Sequence, residues 1–179
     1  MRTYLCTKFD WHSQICDSID WLCHGRALNR LNPNDQIFVV KLIHEWLPLN
    51  SQKHWFNQHH ASSCPVCRST IENPNHFLRC SHMGYRDINS TFLRAIQAHC
   101  DKWSCHTDIA RLLLLGIQHW PKPPLLEHPF SSTFRHVIAS QSQIGWKQLL
   151  YGRFTTEWIY LHEITCTSQD TKHRDGERW

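Results

Sequence analysis

The sequence lacks any long apolar run, since its longest wholly aliphatic stretch is Leu112 to Leu115. A helix that spans a bilayer needs about 20 apolar residues, so we expect no membrane partner. The N-terminal stretch MRTYLCTKFDWH has neither the apolar core nor the small-residue cleavage site of a secretory signal. We therefore expect an intracellular protein, and the sequence does not distinguish nucleus from cytoplasm.

A strong excess of charge is also absent. The 179-residue chain carries 19 basic and 15 acidic residues, a formal net charge of +4, with both signs mixed along most of its length. Such a mild excess permits an anionic partner without requiring one. Internal repeats and low-complexity tracts are missing, and the length suits one globular domain or a domain with a small appendage.

Cysteine, histidine and tryptophan, in contrast, are abundant. The chain has 15 His, 9 Trp and 9 Cys, and the odd number of scattered cysteines does not form the framework of a disulfide-bonded domain. We expect these cysteines to be reduced, buried or bound to metal.

Apolar spacing predicts a mostly α fold. We expect one helix from about Cys16 to Leu31 and a second from a cap at Asn34 or Asp35 to Pro48. A third helix is expected from about Ser132 to Tyr151. Gly152 should end this helix, and a further helix should start in FTTEWIYLHEI. Two amphipathic helices are predicted between them, on Ile88, Phe92, Ala95, Ile96 and His99 and on Ile109, Leu112, Leu113, Gly116, Ile117 and Trp120, with Thr107 or Asp108 capping the latter.

The helix that ends at Pro48 has apolar residues nearly all round it, which favours a buried position. A strand through Ile37–Val40 is the alternative. Prolines at 121, 123, 124 and 129 interrupt the later helical pattern. We therefore divide the chain into an N-terminal helical segment (1–33), a helical zinc-binding domain (34–120), a Pro-rich linker (121–130), C-terminal helices (131–165) and a polar, frayed tail (166–179).

The stretch CPVCRSTIENPNHFLRC has the spacing of a metal site, C-x2-C-x8-H-x3-C. A tight turn brings Cys64 and Cys67 to one ion, whereas His76 and Cys80 lie four apart on one face of a helical turn. Asn73-Pro74 favours a turn before that pair, and Asn73 or Asn75 caps it. The segment therefore predicts one structural Zn²⁺.

Cys80 is preferred to His82 as the fourth ligand because of this helical spacing, and His82 stays the alternative. Three thiolates do not suit an iron–sulfur cluster. Four protein ligands leave no open position for a reactive water, so we expect the metal to hold the chain together and not to catalyse a reaction. Cys100 and Cys105 are interpreted as packing residues.

This segment resembles the zinc-binding segment that follows the reverse transcriptase core of non-LTR (LINE-like) retrotransposons. The matching residues are Cys64, Pro65, Cys67, Glu72, His76, Phe77, Leu78 and Cys80. KLIHEWLPLNSQKH resembles the family's upstream helix, and QSQIGWKQLLYGRFTTEW resembles a downstream block of some retroelement proteins. The likeness covers about residues 15–160, and its sharpest part is the zinc segment.

The polymerase's Tyr-x-Asp-Asp turn does not occur here, nor does the carboxylate cluster of the family's nuclease. We therefore expect a non-catalytic part of the polymerase, with a reverse transcriptase domain encoded upstream as one partner. The resemblance also implies that the zinc segment binds RNA or DNA. The cations that could contact phosphates are Lys53, Arg68, Arg79, Arg135, Lys147 and Arg153.

Trp55, Phe56 or Trp146 could stack on unpaired bases, and burial is the alternative for each. A competing hypothesis is a zinc-stapled helical module that binds proteins and no nucleic acid. A RING domain is excluded because it needs about eight ligands. A thiol enzyme using Cys105 and His106 is disfavoured because neighbouring residues seldom face each other and no third group orients them.

Overall fold

The computed structural model describes residues 2–80, 82–121, 130 and 132–165, and these residues are mostly helical, as predicted. The helices are α1 Arg2–Phe9, α2 Ser13–Asp17, α3 Trp21–Asn29, α4 Pro33–Ile43, α5 Asn50–Phe56, α6 Pro74–Phe77, α7 Met83–Lys102, α8 Thr107–Gln118, α9 Phe134–Ile144, the 3-10 helix η1 Trp146–Tyr151 and α10, residues 157–165. Within these ranges, extended pairing is limited to two isolated bridges. No helix in this described part is long and apolar enough to cross a membrane.

The chain forms two compact units. The first comprises Met1–Ala27 and Ile96–Trp179, and the second comprises Leu28–Ala95. These ranges differ from the predicted segments, because the N-terminal residues belong to the same unit as the C-terminal helices. Residues 122–129 of the predicted linker and all of the predicted tail (166–179) lie outside the described residues.

In the first unit, α8 packs against η1 at a glycine. A Cβ placed on Gly116 would overlap the ring of Trp146, so the close approach requires a residue without a side chain at that position. Leu112 on the same helix is fully buried, as are Val137 of α9 and Leu161 of α10. The predicted apolar face of α8 therefore lies in the core.

The helix predicted from about Ser132 to Tyr151 is divided at Gly145. This residue adopts φ +92°, which is outside the helical region, and the chain continues as η1. Gly152 then ends η1 at φ +68°, as its predicted role as terminator requires. The predicted restart is confirmed by α10.

The helix predicted from Cys16 to Leu31 is also two helices, because residues 18–20 pair with a distant strand-like segment. The backbone N–H of Asp20 donates to the Phe154 carbonyl at 2.9 Å, and Thr156 N–H donates to the Ser18 carbonyl at 2.8 Å. The Asp20 carboxylate then accepts from Cys23 N–H at 2.9 Å and caps α3. Long-range pairing thus replaces one helical turn.

Helix α4 corrects the sequence reading in two respects. Its cap is Asn32, whose side chain accepts from Asp35 N–H at 3.0 Å, with Pro33 at the first helical position. It is also not a buried helix, since Ile37 is 56% and Phe38 50% exposed. The alternative strand through Ile37–Val40 is wrong, because these residues lie within the helix.

Helix α8 also begins one residue earlier than predicted, because its N-cap is His106 and not Thr107 or Asp108.

The segment from Gln141 to Trp158 is largely buried and is held together by side-chain hydrogen bonds. The buried Gln141 side chain accepts from Trp158 Nε1 at 2.9 Å and from Thr155 N–H at 3.4 Å, and its amide donates to the Arg153 carbonyl at 3.4 Å. The Thr155 and Ser140 hydroxyls are 2.8 Å apart. This network joins α9, α10 and the turn between them, so the segment serves the fold of the first unit.

Candidate metal centre

The four predicted ligands converge at one point. One ligand atom each from Cys64, Cys67, His76 and Cys80 lies within 4.8 Å of every other. The Sγ atoms of Cys64 and Cys80 are 3.9 Å apart, and Cys67 Sγ lies 3.3 Å from His76 Nε2. This arrangement is close enough to hold one metal ion, and the sulfur separation is far beyond the ~2.05 Å of a disulfide bond.

The first half of the site is a tight loop closed by backbone hydrogen bonds. Arg68 N–H donates to the Cys64 carbonyl at 2.9 Å, and Cys64 N–H donates to the Thr70 carbonyl at 2.8 Å. Arg68 adopts φ +58°, a left-handed conformation that turns the chain directly after Cys67. The bridge between Ser63 and Ile71 then closes the base of the loop.

The second half is the short helix α6, which begins as predicted. Asn73 is its cap, and the Asn73 side chain accepts from His76 N–H at 2.8 Å. Pro74 occupies the first helical position. Arg79 N–H bonds to the His76 carbonyl at 2.9 Å, so the helical turn carries the chain directly towards Cys80.

The local hydrogen bonds favour a thiolate at Cys67. The Ser69 hydroxyl donates to Cys67 Sγ at 3.3 Å, and together with the Ser69 backbone N–H it lowers the pKa of Cys67 to about 6. The backbone N–H of His82 lowers the pKa of Cys80, but desolvation and the neighbouring sulfurs outweigh that bond and raise it. The thiolate is the form of cysteine that binds metal, so these hydrogen bonds favour metal binding by Cys67. Ser69 was missed in the sequence, where only its position two residues after Cys67 could have indicated it.

The cluster contains Cys80 and not His82. Of the two candidates for the fourth position, only Cys80 places its ligand atom with the other three, and its side chain is buried whereas His82 is exposed. Among the described residues, Cys100 and Cys105 form no part of any such cluster. Cys100 is instead buried, in keeping with its interpretation as a packing residue.

Glu72 connects the ligand loop to α5. Its carboxylate accepts from Asn50 N–H at 2.7 Å, and its carbonyl accepts from Ser51 N–H at 3.3 Å. The Asn50 side chain also donates to the Ser63 carbonyl at 2.8 Å. An acidic group at a helix N-terminus satisfies an unpaired N–H and favours the helix dipole. Glu72 therefore holds the start of α5 against the segment between Cys67 and His76.

The cations proposed for phosphate contact fall into three groups. Lys53, Arg68 and Arg79 are exposed and belong to the second unit, which contains the cluster. Arg135 is exposed in the first unit. Lys147 is half-buried there, and its ammonium lies 5.3 Å from the centroid of the Tyr151 ring and 5.7 Å from that of the Trp120 ring.

Arg153 is not available to a phosphate. Only 1% of the residue is exposed, and its guanidinium donates to Gln148 Oε1 at 2.8 Å while lying 5.1 Å from the Phe9 ring and 5.8 Å from the Trp21 ring. The prediction that Arg153 contacts nucleic acid is therefore wrong. The Trp146 ring is also buried in the core, which excludes it from base stacking.

Comparisons of the chain with protein-family models, with curated proteins and with solved structures found no match.

Proposed function

We propose that the Cys64, Cys67, His76 and Cys80 cluster binds one structural Zn²⁺. Tetrahedral zinc with Zn–S bonds of about 2.3 Å and Zn–N bonds of about 2.0 Å separates two sulfurs by about 3.8 Å and a sulfur and a nitrogen by about 3.5 Å. The observed separations are 3.9 Å between the sulfurs of Cys64 and Cys80 and 3.3 Å between Cys67 Sγ and His76 Nε2. Three thiolates and one imidazole are also a preferred donor set for zinc.

Such an ion would stabilise the second unit and would not react. The four protein donors fill a tetrahedron, so no position is left for substrate or activated water. The ion would join the loop that carries Cys64 and Cys67 to the helical turn that carries His76 and Cys80, and so add to the hydrogen bonds that close the loop. Apparent binding free energies of structural zinc in finger peptides are about 10–16 kcal/mol near neutral pH, which makes metal binding part of folding.

We propose further that the chain is a non-catalytic, zinc-dependent nucleic-acid-binding module. The observation that carries this proposal is the exposure of Lys53, Arg68 and Arg79 in the unit that contains the cluster. No Asp or Glu occurs from residue 46 to residue 71, and the carboxylate of Glu72 is engaged by Asn50 N–H. An RNA or DNA phosphate backbone is the polyanion that such a local excess of cations would favour.

The resemblance to the zinc-binding segment of non-LTR retrotransposon reverse transcriptases supports the same function. The resemblance implies that the ligand is RNA or DNA and that a polymerase domain encoded upstream is a further partner. We propose no catalytic role for the chain, and Arg135 and Lys147 stay proposed contacts of the first unit.

The test is binding of the zinc-loaded protein to single-stranded RNA across a salt series. Each phosphate contact adds about 0.7 to the magnitude of the slope of log K against log salt for single strands. Lys53→Gln, Arg79→Gln and Arg68→Asn should each reduce that magnitude by about 0.7. Asn removes the charge at position 68 and still tolerates the left-handed conformation there. Arg26→Gln, at an exposed arginine of the first unit, is the control and should leave the slope unchanged.

A zinc-stapled protein-interaction module is the second candidate, and one observation favours it. Helix α4 exposes Ile37, Phe38 and Val40, and Trp46 beyond its end is 57% exposed. A large exposed apolar patch is typical of a protein contact. A log–log salt slope near zero for RNA binding, together with self-association of the isolated chain that Phe38→Ser abolishes, would favour this candidate over phosphate binding.

A further inference from the structure

Two adjacent aromatic side chains at the C-terminal end of α5 are unusually exposed. Trp55 is 78% and Phe56 79% exposed, and their ring centroids are 4.8 Å apart in an edge-to-face arrangement. Large aromatic rings are normally buried for most of their area. In the same chain Trp146 and Trp158 are buried. The exposure of both rings of one pair therefore needs a physical explanation.

The exposed pair lies on a helix whose start is fixed by the metal-ligand loop. Asn50, the first residue of α5, bonds through its backbone to Glu72 and through its side chain to the Ser63 carbonyl. The preceding residues Leu47 and Leu49 are buried. The aromatic pair thus lies on a helix whose first residue is hydrogen-bonded to both ends of the loop that carries Cys64 and Cys67.

The chain after the pair folds back on the same helix. His54 Nδ1 lies 2.6 Å from the His60 carbonyl, and Asn57 N–H donates to the Lys53 carbonyl at 2.9 Å. The Asn57 side chain accepts from His59 N–H at 3.1 Å. These bonds hold the turn after Phe56 beside α5. Both rings are accordingly presented by a helix that is held at its two ends.

The charges of the second unit, in which Lys53 lies two residues before Trp55, indicate the kind of partner. Lys53 and Arg68 are exposed cations of the same unit, and carboxylates are absent from residues 46–71. A purely apolar protein surface would gain nothing from these cations and would desolvate them at a cost. A polyanion that also carries exposed π-faces matches both features.

We propose that Trp55 and Phe56 form a stacking platform for the unpaired bases of single-stranded nucleic acid. The proposal rests on the proposed nucleic-acid-binding function and specifies further that the preferred ligand is single-stranded. A duplex hides the faces of its bases in its own stack, whereas a single strand offers every base as a π-face to an aromatic side chain. Phosphates flanking the stacked bases would meet the cations, so the two contributions act on one strand.

The experiment measures fluorescence anisotropy of labelled RNA with the zinc-loaded full chain. The ligands are an unstructured single strand and a duplex of the same length and label. We expect the single strand to bind at least about tenfold more tightly, and Trp55→Ala to weaken single-strand binding by about tenfold while leaving duplex binding within twofold. Phe56→Ala should act in the same direction.

Two variants control for indirect effects. Trp55→Phe retains a ring and should restore most of the affinity that Trp55→Ala loses. Trp103→Ala removes a tryptophan of the first unit that is 69% exposed, and it should leave both affinities unchanged. Unchanged zinc content of each variant shows that the metal loop is intact.

The outcomes separate the two proposals. If both RNAs bind with a steep salt slope but Trp55→Ala and Phe56→Ala change neither affinity, the stacking platform is overturned and phosphate binding stands. If neither RNA binds at low salt, both proposals fail. If Trp55→Ala changes only the self-association of the chain, the exposed pair is a protein contact and the stacking proposal is wrong.

Discussion

The backbone N–H of Asn50 donates to the carboxylate of Glu72 at 2.7 Å, which ties the first residue of α5 to the loop between the two halves of the metal centre. Leu49, the cap residue of α5, makes no side-chain capping bond of its own. The carboxylate is therefore supplied from 22 residues further along the chain. Through this bond, order in the ligand loop favours order in α5.

Glu72→Ala should destabilise the second unit. Loss of a charged acceptor at a helix N-terminus removes a capping bond and a favourable dipole interaction, together about 1–2 kcal/mol. Glu72→Gln keeps an acceptor oxygen and should cost less. Denaturant unfolding measures the free energy, and amide hydrogen exchange at Asn50 and Ser51 locates the effect. Equal protection of these amides in wild type and Glu72→Ala would contradict the assigned bond.

Two glycines should respond to alanine with opposite signs. Gly116→Ala places a Cβ into the Trp146 ring and should destabilise the first unit by about 1–3 kcal/mol, even though alanine favours helix. Gly25→Ala in α3 meets no atom within 4 Å and should stabilise the protein by about 0.5–1 kcal/mol. Thermal unfolding of both variants provides the comparison. A stabilising Gly116→Ala would refute the described packing of α8 on η1, whereas a destabilising Gly25→Ala would refute the open space described around Gly25.

Gln141 is expected to be far more sensitive to substitution than its exposed neighbour Gln143. Gln141→Ala leaves Trp158 Nε1 and Thr155 N–H without their acceptor in a buried site, at a cost of about 2–4 kcal/mol. Gln143→Ala, on the same helix but exposed, should change the free energy of unfolding by less than about 0.5 kcal/mol. Denaturant unfolding followed by tryptophan fluorescence measures both. A small cost at position 141 would show that the network is not formed.

His24 should make stability depend on pH. Desolvation by burial lowers the pKa of His24 below 6.5; the Gly152 carbonyl, 3.0 Å from Nδ1, opposes this shift, and the charge of Arg153 adds to it. The His24 side chain therefore binds a proton more readily in the unfolded chain than in the folded one. The stability that the folded protein gains from keeping His24 neutral is fully present above about pH 6.5 and is lost as the pH falls below that value.

His24→Asn, which retains a side-chain donor for the Gly152 carbonyl, should flatten the pH dependence of unfolding. The comparison is the free energy of unfolding of wild type and variant at about pH 7 and pH 5, where wild type should lose more stability. Parallel profiles for the two proteins would contradict the described environment of His24.

The metal centre was predictable because its determinants are local. A turn before Cys67 and a capped helix before His76 are both encoded within the seventeen residues from Cys64 to Cys80. The spacing predicted all four ligands and preferred Cys80 to His82, and the structure brings those four side chains together. The mostly α fold was predictable for the same reason, since helical periodicity is a property of short windows.

What the sequence did not predict depends on residues far apart. The break between α2 and α3 exists because Ser18 and Asp20 bond to Thr156 and Phe154, more than a hundred residues away. Arg153 reads as a solvated cation until Phe9 and Trp21 are found around its guanidinium. Conversely, α4 reads as a buried helix because its apolar residues surround the axis, although the second unit leaves Ile37 and Phe38 exposed.

The most direct test of the central claim is the zinc content of the purified protein, measured by inductively coupled plasma mass spectrometry. We predict one zinc per chain in wild type and in Cys23→Ser, whose cysteine is exposed and lies outside the cluster. We predict little or no zinc in Cys67→Ser and in His76→Ala, together with loss of helical signal from the second unit. Zinc-free wild type after expression with ample zinc, or full zinc content in Cys67→Ser, would contradict the account.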